Sequence, residues 1–164
     1  MIETMVQSAV SERELDKILS LAAGRVALEL GAWEGATTRE LAKVCPVVHT
    51  VDHFYGDPCA GSRERHELLD VFFSTIEHDS VVVHVGSFAQ VLPLLMPKQF
   101  GFTFVDGDHR YEHVLAQARY AQRLTVGPIA YHDYGLWGVA EAVHAAHDRT
   151  PDEVVESVAV YASD

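Results

Sequence analysis

Basic residues are scarce in this 164-residue chain: 12 Lys and Arg stand against 24 Asp and Glu, a formal charge of −12. Nucleic acid is held largely by neutralising phosphates with Lys and Arg. The sequence has no basic run of five or more, so nucleic acid is not an expected partner. Cysteine is scarce too. Cys45 and Cys59 are the two in the chain, without the CxxC spacing of metal or redox sites, and they fit reduced thiols better than a structural bridge. No apolar run approaches the ~20 residues of a membrane span. The opening MIETMVQSAVSERELDK lacks a basic stretch followed by an apolar core, so no secretory leader is expected and the expected location is the cytoplasm. Two nucleotide signatures are missing as well. There is no G-x-G-x-x-G, which argues against a nicotinamide-dependent dehydrogenase, and no Lys follows the first glycine turn, which removes the P-loop.

What is present is a core. Hydrophobic residues make up 48% of the chain, enough for one ordinary domain. Apolar runs alternate with amphipathic stretches. VALELG (26–31), VVHTVDHF (47–54), VVVHVG (81–86), FGFTFVDG (100–107) and PIAYHDY (128–134) read as buried strands. TTRELAKVC (37–45), 62–78, FAQVLPLL (88–95), YEHVLAQARYAQRL (111–124) and GVAEAVHAAHD (138–148) have helical spacing. EVVESVAVYA (153–162) has room for one strand or a very tight hairpin. Continuous apolar strands separated by helices imply a doubly wound, mostly parallel α/β sheet with helices on both faces and a shortened C-terminal strand region. Residues 1–20 read as an N-terminal helical segment and 21–164 as the domain proper.

In such a sheet, ligands collect beyond the carboxyl ends of the strands. The first strand ends in Glu29, Gly31 and Gly35, a turn that permits close backbone approach to a ligand. The second ends in Asp52, at the place where an acid accepts hydrogen bonds from ribose hydroxyls. Gly86, Ser87 and Phe88 follow the third, where Ser87 can bond and Phe88 can stack on an adenine. Asp106, Gly107, Asp108 and His109 follow the fourth; His132, Asp133 and Tyr134 follow the fifth. Two carboxylates and an imidazole on adjacent strand ends (Asp106, His132, Asp133) form a candidate open metal site. Carboxylate oxygens favour Mg²⁺, Mn²⁺ or Ca²⁺, and the imidazole tilts toward Mn²⁺, Fe²⁺ or Zn²⁺. His109 is a candidate general base because its ordinary pKa lies near neutrality. Asp108 is read as the cap of the following helix, and His84 as packing into the cover of the sheet. Trp33, Phe54, Tyr55 and Trp137 fall in loops near the cleft, where they line a pocket or cover the core.

Together E-x-G-x-x-x-G-x-T, VDHFYGDP, FVDGDHRYEHV and HDYGLWGVAEAV resemble the class I S-adenosylmethionine-dependent methyltransferases. The closest likeness is to the small methyltransferase-domain family numbered 24, which is similar to sugar- and macrolide-modifying O-methyltransferases. The resemblance runs from about residue 22 to the C-terminus. It implies a Rossmann-like fold and methyl transfer from S-adenosylmethionine to a hydroxyl of a small molecule. It places Glu29, Gly31 and Gly35 against the methionine part of the cofactor, with Trp33 and Thr37 beside them. Asp52 goes to the ribose, flanked by His53 and Phe54; Gly86, Ser87 and Phe88 go to the adenine, and Asp106 also falls among the cofactor-binding residues. Asp106, His132 and Asp133 fall where related enzymes hold a divalent cation, Mg²⁺ or Mn²⁺, with Asp106 and His109 in the catalytic roles. There are departures. Gly86-Ser87-Phe88 replaces the usual Gly-Asp-Ser, Val126-Gly127-Pro128 the usual Pro-Gly-Gly, and His132 stands where an acid or amide is common. The segment before the first strand is short for a substrate lid, which is compatible with a homo-oligomer whose neighbour supplies the cover. The competing expectation is a domain that binds S-adenosylmethionine or S-adenosylhomocysteine without catalysis.

Overall fold

The computed structural model describes residues 10–57, 61–62, 64–76 and 79–163. In chain order its elements are α1 (Glu12–Ala22), β1 (Val26–Leu30), α2 (Ala36–Val44), β2 (Val47–Asp52), β3 (Gly56–Asp57), β4 (Gly61–Ser62), α3 (Arg65–Thr75), β5 (Val81–Val85) and α4 (Phe88–Val91). A 3₁₀ turn (Leu92–Leu94), β6 (Phe102–Val105), α5 (Tyr111–Leu124), β7 (Ile129–Tyr131), α6 (Trp137–His147), β8 (Glu153–Val155) and β9 (Val158–Tyr161) complete it. The seven-stranded sheet has the order β5-β2-β1-β6-β7-β9-β8. It is parallel from β5 through β7, and β9 and β8 close it antiparallel. The strand order reverses between β1 and β6, which makes that crevice the place for a ligand.

The apolar runs form strands because both faces of the sheet are covered. On one face Leu28 and Leu30 of β1 lie with Val114, Ala118 and Ala121 of α5 and Val139 and Val143 of α6. On the other, Ala27 lies with Ile18 and Ala22 of α1 and Leu41 and Ala42 of α2. Ile18 and Ala22 are fully buried, so α1 is a layer of the domain rather than an appendage, and the expected boundary at residue 20 falls inside it. Helix α1 starts at Glu12 because Ser11 caps it, with Glu14 completing a capping box; the expected helical residues 1–9 lie outside the described residues.

The strands are shorter at their carboxyl ends than the apolar runs. β2 stops at Asp52, before His53 and Phe54, because Phe54 takes a left-handed φ of 57°. The helix expected over 62–78 is Arg65–Thr75, and the two-residue ladder of β3 and β4 before it has too few residues to leave a periodic signal. The closing segment is the tight hairpin: Val155 pairs with Val158 around Glu156 and Ser157. Cys45 is a buried free thiol, whereas Cys59 lies outside the described residues. No helix among the described residues is long and apolar enough to cross a membrane.

Candidate active site

The parallel ladder carries five strand ends to one rim. Beyond the strands proper, Gly86 N–H bonds the carbonyl of Asp52, Gly31 N–H that of Val51, Asp106 N–H that of Leu30, and His132 N–H that of Val105. The turn after β1 is therefore flanked by the ends of β2 and β6. Gly31 has φ 96°, and a Cβ there would lie 2.2 Å from the Asp106 carbonyl oxygen. Glycine is required at this position because two loops touch. Asp52 fastens the turn from the other side. Its Oδ2 accepts from the backbone N–H of Ala32 (2.8 Å) and Trp33 (3.0 Å), and its Oδ1 from that of Phe54 (2.7 Å). A carboxylate has about four acceptor directions, so the three bonds leave room for roughly one ligand hydroxyl. Glu29 lies beneath the turn, fully buried. Its Oε2 accepts from Thr38 Oγ1 (2.5 Å) and Thr50 Oγ1 (2.8 Å), while Oε1 is buried without a hydrogen-bond partner among the described residues. Burial pushes its carboxyl up to about 7 against the two threonine bonds, and the charges of Asp106 and Asp52 add to the rise.

The second cluster stands on the ends of β6 and β7. Asp106, His132 and Asp133 each offer one donor atom, and these atoms all lie within 4.8 Å of one another. His132 Nδ1 faces Asp106 Oδ1 at 3.1 Å and Asp133 Oδ2 at 3.2 Å. His109 Nε2 meets the same Asp133 Oδ2 at 2.8 Å. Asp133 has φ 56°, a left-handed conformation that Asp tolerates better than most residues. His132 is nearly buried. Burial opposes its charge, but hydrogen bonds to Asp106 and Asp133, with their negative charge, outweigh it and hold the imidazole up at about 10. The His132 bond, against burial and with help from His109, draws Asp133 down to about 2. Burial raises Asp106 despite His132. The donor set also suits a hard divalent cation. Two octahedral bonds of ~2.1 Å at a right angle leave their donors about 3 Å apart, close to the separations from Nδ1 to the two carboxylate oxygens.

Residues 28–134 match the family described as a methyltransferase domain and numbered 24. The chain belongs to this methyltransferase-domain family. No curated protein sequence matches it. Its fold is shared with solved enzymes. The O-methyltransferase TomG from Streptomyces achromogenes, in complex with S-adenosylmethionine, is 18% identical with a TM-score of 0.70, over 95% of this chain and 82% of that one. An O-methyltransferase from Bacillus cereus in complex with S-adenosylhomocysteine is 21% identical with a TM-score of 0.65, over 85% and 69%. A precorrin 8w decarboxylase from Methanobacterium thermoautotrophicum is 17% identical with a TM-score of 0.67, over 94% and 90%. At such identities the likeness establishes the fold, and the reaction has to be argued from the site.

Within the methyltransferase domain the other expected site residues fall in three groups. Trp33 lies in the turn with φ 48°, Thr37 is half-buried in the first turn of α2, and His53 is half-exposed beside Asp52 with its Nδ1 accepting from Tyr55 N–H at 3.0 Å. These remain on the rim. Gly86, Ser87 and Phe88 follow β5. Ser87 opens α4 by bonding Gln90 Oε1, and the Phe88 ring lies so close to Gly107 that a Cβ there would be 2.5 Å from its Cζ. The third group moves inward. Phe54, expected at the cofactor, is fully buried with Ala32, Leu68 and Phe72, its ring centroid 5.0 Å from that of Phe72. Asp108 is not the cap of α5. It accepts from Arg110 N–H at 2.8 Å and pairs with the Arg110 guanidinium and His113, bracing the loop two residues before the N-cap, Arg110. His84 is half-buried, its Nε2 3.0 Å from His49 Nδ1. Thr38 and Thr50 carry no signature in the sequence, and it is the fold that brings their hydroxyls onto Glu29. For Glu14 the sequence offers only a local signal, the fourth place of S-E-R-E (11–14), which has the form of a capping box.

Proposed function

We propose that this methyltransferase domain moves the methyl group of S-adenosylmethionine to a hydroxyl of a small molecule, with a divalent cation, Mg²⁺ or Mn²⁺, held by Asp106, His132 and Asp133. The observation that carries the proposal is the pairing of two clusters on one rim. The glycine turn and Asp52 offer a cofactor cradle, and Asp106, whose backbone touches Gly31, belongs to the adjoining donor triad.

The sulfonium supplies an already activated methyl, and the cation, when bound, supplies Lewis acidity that lowers the pKa of the acceptor hydroxyl. The chain's own residues do the rest. Asp52 locks the turn and offers its remaining acceptor direction to the ribose. Glu29 and its two threonines hold the floor of the turn. Gly86, Ser87 and Phe88 flank the adenine. Asp133 orients His109 through its Nε2, which leaves Nδ1 as the nitrogen to take the acceptor's proton. Alignment of the acceptor oxygen with the S–CH₃ bond is a proximity effect worth several kcal/mol.

The test is a methyl-transfer screen over hydroxylated small molecules with Mg²⁺ or Mn²⁺, beside calorimetry with S-adenosylhomocysteine. Asp106→Asn and Asp133→Asn should lose turnover while keeping cofactor affinity. Full activity of Asp133→Asn after metal stripping would refute the cation. Tight cofactor binding without transfer to any acceptor would reduce the domain to a cofactor-binding subunit.

A further inference from the structure

A carboxylate on the N-terminal helix backs the His132 ring. Glu14 is 3% exposed, a degree of burial that acidic side chains reach only when paired. Its Oε1 accepts from Ser157 N–H at 2.7 Å and from Ser157 Oγ at 2.6 Å. Its Oε2 accepts from Ser11 N–H at 2.9 Å and lies 3.6 Å from His132 Nε2. That last separation is an ion-pair distance, too long for a hydrogen bond. A capping box accounts for the bond to Ser11. It does not account for the other oxygen, which two donors of the β8–β9 turn hold in place, nor for the buried imidazole in front. The start of α1 and the closing hairpin thus immobilise one charge behind one histidine.

The arrangement sorts the two ring nitrogens. Nε2 faces Glu14, and Nδ1 faces Asp106 and Asp133. In a neutral imidazole one nitrogen carries the proton, and its surroundings decide which. Were a cation to take the Nδ1 lone pair between the two aspartates, the ring's one proton would sit on Nε2, where the Glu14 carboxylate faces it. Metal-ligating histidines characteristically have a carboxylate, carbonyl or water behind the other nitrogen.

We infer that Glu14 is a positioning residue: fixed by Ser11 and Ser157, it sets the orientation and tautomer of His132 so that Nδ1 can serve the cation. The inference rests on the cation reading above. Its test is Mn²⁺ binding to the purified full chain, followed by electron paramagnetic resonance of the free ion. S-Adenosylhomocysteine affinity and thermal melting are recorded in parallel. Glu14→Gln keeps the shape and an acceptor for Ser157, but removes the charge and puts an amide beside Nε2. It should weaken Mn²⁺ roughly 10- to 100-fold and leave S-adenosylhomocysteine affinity unchanged. Ser157→Ala removes one donor to Glu14 at a half-buried turn position and should weaken Mn²⁺ measurably, by less than Glu14→Gln. A Glu14→Gln chain that melts earlier yet binds Mn²⁺ like the wild type would show a purely structural residue and overturn the inference alone. If Glu14→Gln does not fold, unaltered Mn²⁺ affinity in Ser157→Ala overturns it. A wild-type chain that takes no Mn²⁺ overturns the cation reading and this inference with it.

Discussion

Three glycines allow the contact between the β1 turn and the β6 loop to be weighed. Gly31 combines φ 96° with a would-be Cβ 2.2 Å from the Asp106 carbonyl oxygen. Gly24 has φ 72° and nothing within 4 Å of a would-be Cβ. Gly135 also has open space, and its φ lies outside the left-handed region. Alanine at Gly135 should therefore stay within about 0.5 kcal/mol of the wild type. At Gly24 it should cost the dihedral penalty alone, about 1–2 kcal/mol. At Gly31 the same penalty applies and the two loops must also part by about 1 Å, an overpacking cost of about 1–3 kcal/mol. The total of about 2–5 kcal/mol is a large share of a domain's usual 5–15 kcal/mol and corresponds to a melting shift of roughly 4–20 °C. Urea denaturation followed by circular dichroism measures each variant, with an unchanged m-value certifying that the comparison is of stability. Because the obstacle is the backbone of Asp106, Gly31→Ala should also weaken S-adenosylhomocysteine binding and displace the donor triad. A Gly31→Ala chain no less stable than Gly24→Ala would refute the close approach on which the shared rim depends.

Glu29→Gln retains an acceptor for Thr38 and Thr50 and removes a buried charge. A carboxyl raised from 4.5 to about 7 in the folded chain binds more protons folded than unfolded, so wild-type stability falls as pH rises from about 4.5 through 7. The variant's relative stability should grow across that window by on the order of 3 kcal/mol, and pH-dependent urea melts that run parallel would refute this. His132 has the raised pKa of a base, so its contribution is full below about 6.5 and lost as pH climbs through about 10. In the cation-free chain, NMR should show its ring still doubly protonated at pH 8, and a midpoint near 6.5 would contradict the Asp106–His132–Asp133 geometry. His109→Gln should lower kcat by about 10²–10⁴-fold with little change in cofactor affinity, which steady-state kinetics and calorimetry separate.

The sheet was readable because its signal is repeated. Val26 to Leu30 is an uninterrupted apolar run apart from Glu29, and an acid inside such a run already asks for an explanation. The convergence of Asp106, His132 and Asp133 was readable too, since parallel topology sends every strand's carboxyl end to the same rim. Phe54 is less legible. The resemblance sets it beside Asp52 at the cofactor, while its loop position allows either a pocket or core cover; its left-handed backbone turns the side chain out of strand alternation, here into the pocket of Ala32, Leu68 and Phe72. Asp108 stands two residues before the N-cap, Arg110: its bond to Arg110 N–H makes a turn ahead of the helix, a contact that local spacing does not separate from a cap.

Glu14 marks the limit of such reading. S-E-R-E announces the start of a helix, and the reciprocal bonds of Ser11 and Glu14 are local enough to be foreseen. Its second role depends on two long-range facts: the seating of α1 by Ile18 and Ala22, and the two-residue turn that presents Ser157. Neither leaves a periodicity or a motif near residue 14. A buried acid with an ordinary local explanation is easily set aside, and here it is the residue that connects the outermost elements of the fold to the imidazole between the two aspartates.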